Sequence, residues 1–140
     1  MWEFGRFYKI MVMLFSIVVV SLLTALVMAP LTMFVGRVVL NEKPRFEQAF
    51  AVCFYASGSV WFVYSIVALY TEEQMPVVSV LCGFVAGHIA YAVALIKILA
   101  CPPKRASLVG AALVILTYLV SFVGLLGVAI VFDLYDRLLS

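Results

Sequence analysis

Charged residues interrupt this chain at only a few places, and long apolar runs lie between them. Ile10 to Gly36 is free of charge between Lys9 and Arg37. Gln48–Thr71, Gln74–Ile96 and Ala106–Phe132 are charge-free in the same way. An α-helix rises about 1.5 Å per residue, so roughly 20 residues cross the ~30 Å of bilayer hydrocarbon. Every run is longer than that. Lipid gives a free backbone N–H or C=O no partner, so a spanning segment bonds within itself as a helix. The in–out alternation of a membrane β-barrel is absent. The pattern predicts one all-α domain over 1–140, a four-helix transmembrane bundle of up-down topology with short loops. Its spans are expected at about 10–36, 48–71, 76–100 and 106–132.

The first run is read as a retained helix rather than a signal peptide. Its apolar stretch is long, and Pro30 directly follows the Val27-Met28-Ala29 that loosely resembles a cleavage site. Pro30 has no backbone donor, so a bend is expected near residues 26–30. The connectors run from Arg37 to Glu47, from Thr71 to Pro76 and from Cys101 to Arg105. Links this short make consecutive helices antiparallel neighbours.

Composition supports lipid as the first partner. Hydrophobic residues make up 67% of the chain and charged residues 11%, with a mean hydropathy of +1.24. A small domain cannot cover that much apolar surface by itself. The net charge of +2 is too small to suggest nucleic acid. The distribution of charge says more. Arg37, Lys43, Arg45, Lys97, Lys104 and Arg105 belong to the first and third connectors, and Arg6, Lys9 and Arg137 to the other end. Positive-inside counting, six against three, puts loops 37–47 and 101–105 in the cytoplasm and both termini outside. Trp2, Tyr8, Tyr70 and Tyr135 then fall near the outer interface, where amphipathic rings prefer to sit.

Inside lipid, helices associate through close packing and hydrogen bonds. Gly83 and Gly87 form a GxxxG pair, and Cys82, Ala86, Ala90 and Ala94 continue a small-residue row beside it. In the fourth span Gly110, Ser121, Gly124 and Gly127 offer a similar surface. Gly83, Gly87, Ala86, Ala90, Gly124 and Gly127 are therefore the expected helix-packing positions, within the chain or in a homo-oligomer.

His88 is the single histidine, and it falls in the middle of the third span. An ionisable group at that depth needs a partner or stays neutral. The expectation is an intramembrane polar site in which His88 bonds to Ser57, Ser59, Tyr55 or Tyr64. The other reading is a proton- or ligand-conducting element. Cys53 and Cys82 read as small packing residues, and Cys101, at a helix end, as a position open to lipidation. No metal-ligand spacing, phosphate loop or nucleophile–histidine–acid pattern occurs. No catalytic residue, metal or cofactor is expected. Arg37, Asn41, Lys43, Arg45, Glu47, Lys104 and Arg105 make up the cytoplasmic loop surface, with Lys43 and Arg45 toward anionic headgroups.

The stretch GRVVLNEKPRFEQAFAVCFYASGSVWFV resembles the Yip1-like family of membrane proteins. The matching pieces are Gly36, Phe46-Glu47-Gln48-Ala49 and Tyr55-Ala56-Ser57, and the likeness extends over roughly residues 25–130. The chain has four spans where the family usually has five, and Asn41-Glu42-Lys43-Pro44 where it has a Gly-Gly turn. The resemblance implies a non-enzymatic role in membrane organisation or trafficking. The chain is also similar in length and span number to four-helix membrane glutathione transferases, which would give Arg37, Asn41 and Glu47 a role in holding glutathione. Spans three and four carry no counterpart of that family's thiolate-stabilising arginine. The expected function is thus a non-catalytic adaptor or accessory subunit in a membrane assembly, with other membrane subunits or copies of itself as partners. A small enzyme of the glutathione-transferase type is the alternative.

Overall fold

A computed structural model describes residues 2–41, 43–72 and 74–140, apart from the side chain of Trp2. The expectations for Glu42, Glu73 and the Trp2 ring lie outside the described residues. Four helices make up the chain: α1 Trp2–Val38, α2 Phe46–Tyr70, α3 Pro76–Leu99 and α4 Pro103–Leu139. All four are long and apolar enough to cross a membrane.

Local chemistry sets the helix ends. Pro76 and Pro103 open α3 and α4 at a position where a missing N–H costs nothing. At the start of α2, Gln48 Oε1 accepts the Arg45 N–H at 3.0 Å, and Glu47 lies in the first turn, where the helix dipole is positive. Ala100 ends α3 in the left-handed conformation at φ 51°, and the Cys101 N–H then reaches back to the Leu95 carbonyl at 3.3 Å. Loop one folds back on the helix it leaves. A Cβ at Gly36 would stand 2.8 Å from Pro44 Cγ, so only glycine admits this turn.

Two boundaries differ from the apolar windows. α1 begins at Trp2 rather than near residue 10, and α4 continues to Leu139 rather than 132. The cause is that hydrophobicity reports on lipid while the helix is held by its backbone. Charged residues at the ends extend it, and Arg137 Nε pairs with Asp133 Oδ2 at 3.0 Å one turn away. α1 also runs through Pro30 as a single helix.

The helices pack in chain order, with α2 and α3 at the centre. In their most apolar windows 28% of residues are buried, against 17% in α1 and 11% in α4. The register explains α4. The Tyr118 hydroxyl donates to the Val80 carbonyl at 2.9 Å, one turn above the start of α3 at Pro76. Beyond this level α4 has no α3 beside it, and every residue from Phe122 to Ser140 is exposed. Loops one and three cap one end of the bundle, and loop two and both termini lie at the other.

Candidate functional site

Two buried polar pairs link the helices, with one residue from each. Thr32 on α1 meets Cys53 on α2, with Oγ1 and Sγ 3.0 Å apart. Tyr91 on α3 lies 2.6 Å from Thr117 Oγ1 on α4. None of the four is more than 1% exposed.

Counting protons orients the second pair. Each hydroxyl has one hydrogen to donate. Thr117 donates to the Leu113 carbonyl of its own helix at 2.9 Å, so Tyr91 is the donor in the 2.6 Å bond. The Thr32–Cys53 pair joins α1 to α2, and the run from Tyr91 through Thr117 joins α3 to α4 and ends on a carbonyl. Satisfied buried hydrogen bonds of this kind rigidify a core.

Glycines set how closely the helices approach. A Cβ at Gly83 would stand 2.5 Å from the Tyr118 hydroxyl and 3.2 Å from the Val60 carbonyl. One at Gly87 would collide with Val60 Cγ2 and lie 2.6 Å from Val114 Cγ2. The GxxxG pair thus faces α2 and α4 together, with Ala86 and Ala90 half-buried beside it. Gly110 meets the α3 backbone, 3.2 Å from Ala92 N. Gly124 and Gly127 pack against no other helix of this chain: nothing stands within 4 Å of a Cβ at either. They lie where α4 has already passed the end of α3.

The polar site expected around His88 is also corrected. Its Nε2 lies 3.3 Å from Ser107 Oγ on α4, because α3 turns this residue to α4 rather than α2. Its Nδ1 is buried with no hydrogen-bond partner. Ser57 and Ser59 donate instead to carbonyls one turn back, Cys53 at 2.7 Å and Tyr55 at 2.8 Å. The Tyr55 ring is 64% exposed. Cys101 is buried rather than offered to the membrane surface. Among the described residues, no three His, Cys, Asp or Glu side chains gather to hold a metal.

At the loop-one and loop-three end, Arg37, Asn41, Lys43, Arg45, Glu47, Lys104 and Arg105 are all exposed. Asn41 takes φ 54°, a left-handed conformation that asparagine tolerates. Among the described residues the one ion pair is Arg137–Asp133, at the opposite end.

Sequence reasoning missed the Thr32–Cys53 and Tyr91–Thr117 pairs. Their members are 21 and 26 residues apart, so no local spacing connects them. The available signal was weaker: each is an isolated polar residue inside a charge-free span. Comparison of the chain with family models, with curated proteins and with solved structures finds no match in any of the three.

Proposed function

We propose that the chain is a non-catalytic polytopic membrane protein, acting as an adaptor or accessory subunit in a membrane assembly. The observation that carries this reading is the lower half of α4. Gly83, Gly87 and Gly110 are each filled by a neighbouring helix, whereas Gly124 and Gly127 face open space on a helix whose surroundings are all exposed. In lipid a small-residue surface is where another backbone approaches closely. The core supports the same reading: Thr32 with Cys53, and Tyr91 with Thr117, hold helices to one another. The exposed cations of loops one and three favour the anionic cytoplasmic leaflet and anchor the bundle in one orientation. The resemblance to the Yip1-like family extends the reading to membrane organisation or trafficking.

The test is the mass of the particle purified in mild detergent, for the wild type and for Gly127→Leu. The wild type is expected as a discrete assembly larger than one 15.5 kDa chain. Gly127→Leu is expected to release the monomer with its helix content unchanged. A wild type that stays monomeric at every concentration contradicts the proposal. So does a self-trimer retained on a glutathione resin.

A further inference from the structure

Three of the four helices bring their polar ends to one level on the loop-two side, and α4 carries on past it. Gly110 and Ala92 stand backbone to backbone, since a Cβ on Gly110 would lie 3.2 Å from Ala92 N. Arg105 and Lys97 are equally far along their helices from that contact, so they are level at the other end. From Lys97 to Pro76, the start of α3, is about 31 Å along the axis, which matches the ~30 Å of bilayer hydrocarbon. Ser57 Oγ lies 3.4 Å from the Ser21 carbonyl, and Tyr70 and Lys9 are each about 18–20 Å from there along their helices. α1 and α2 thus present polar ends together. In α4 the next charge after Arg105 is Asp133, about 42 Å on. About 10 Å of it, Gly127 to Phe132, is apolar and stands beyond the start of α3. Tilt does not absorb the excess. Fitting about 42 Å into ~30 Å takes a tilt of about 45°, past the ~40° limit of membrane helices. Gly110 and Tyr118 also fix α4 along α3.

The pattern of α4 changes at the same level. At ~100° per residue, Asp133, Asp136, Arg137 and Ser140 fall on one side, and Ile130, Val131, Leu134, Tyr135 and Leu138 on the other. Arg137 Nε and Asp133 Oδ2, 3.0 Å apart, tie the polar side together. All of these residues are exposed. A helix with one charged and one apolar side, carrying a tyrosine, suits the plane of the headgroup boundary. Upright, it would put both sides in water. Gly124 and Gly127 sit where it leaves the bundle, one turn apart, with nothing within 4 Å of a Cβ at either. Glycine weakens a helix, and closely spaced small residues are where long helices bend.

We propose that the segment from Val128 to Ser140 binds a lipid surface: α4 bends at Gly124–Gly127 and lays Ile130, Val131, Leu134, Tyr135 and Leu138 into the headgroup boundary on the loop-two side. Asp133, Asp136 and Arg137 then face water. The polar side carries two acids and one base, so the surface need not be anionic. This rests on the chain spanning a membrane, and not on its having a protein partner.

The test uses the full chain in phosphatidylcholine vesicles. Trp2→Phe with Trp61→Phe removes both tryptophans. Single reporters are then added as Ile130→Trp, Leu134→Trp, Leu138→Trp, Asp136→Trp and Ser140→Trp, with Ile115→Trp as the mid-span reference and helix content checked for each. Quenchers are phosphatidylcholine brominated near the headgroup end of its acyl chains and aqueous iodide. Brominated lipid is expected to quench positions 130, 134 and 138 at least about threefold more than 136 and 140, and iodide the reverse. Gly124→Ala with Gly127→Ala stiffens α4 without a clash, and is expected to lower lipid quenching at 134 and 138 about twofold. Lipid quenching that fades steadily past 128, with no difference between the two sides, overturns the proposal in favour of an upright rod. Positions 130, 134 and 138 shielded from both quenchers overturn it in favour of a protein contact. An unchanged profile in the double alanine variant overturns the bend. Iodide quenching at position 115 removes the membrane reading and this proposal with it.

Discussion

The direction of the Tyr91–Thr117 hydrogen bond gives a quantitative test, because its two ends respond differently to loss of one hydroxyl. Tyr91→Phe removes the donor to Thr117. Thr117 keeps its own bond to the Leu113 carbonyl, so no donor of this pair is left without a partner. The cost is one net hydrogen bond, about 1 kcal/mol, near the ~0.6 kcal/mol average and ~1.7 kcal/mol maximum found between membrane helices. Thr117→Val keeps the shape but leaves the fully buried Tyr91 O–H facing a methyl group. Its cost adds an orphaned donor, bringing the total to about 2–3 kcal/mol. With both changes no donor is stranded, so the double variant should lose less than the sum, with a coupling of about 1 kcal/mol. The assay is reversible unfolding in mixed micelles, by titrating a denaturing detergent against far-ultraviolet circular dichroism. A larger loss for Tyr91→Phe than for Thr117→Val would falsify the assigned direction. No loss in either variant would mean that this α3–α4 hydrogen bond contributes nothing to stability.

Two other outcomes follow from the packing. Gly87→Ala drives a methyl group into Val60 and Val114 and should destabilise by about 1–3 kcal/mol in the same titration. Gly127→Ala meets open space and should be neutral or stabilising by up to ~1 kcal/mol; equal losses at both sites would contradict the register given for α4. Ala100→Gly relieves the left-handed conformation after α3 and should stabilise by about 0.5–1 kcal/mol, and a loss there would mean that the cap is not formed.

The number of helices able to span was legible because lipid acts on each segment by itself. A run such as Ala106–Phe132 reports its own surroundings without reference to the other helices. The GxxxG pair was legible for a similar reason: the surface that Gly83 and Gly87 create is local to α3. What the sequence did not carry was which face of one helix meets which other helix. His88 and Gly87 are adjacent, yet nothing in their spacing says that α4 rather than α2 faces the imidazole. The expected partners Ser57 and Ser59 sit in a span at the right depth, but each donates to its own helix one turn back. Gly124 and Gly127 look like Gly110 in sequence, and only the offset of α4 against α3 leaves them uncovered.

Four helices are long and apolar enough to cross a membrane, and the proposal is that they alternate across it with loops one and three on the cytoplasmic face. Single cysteines at Lys43, Lys104, Gln74 and Ser140 test it directly, with the parent chain's own three thiols setting the background for a membrane-impermeant maleimide. In intact cells, positions 74 and 140 should label and positions 43 and 104 should label only after the membrane is opened. Labelling of all four positions from one side, or release of the chain into the soluble fraction, would contradict the account.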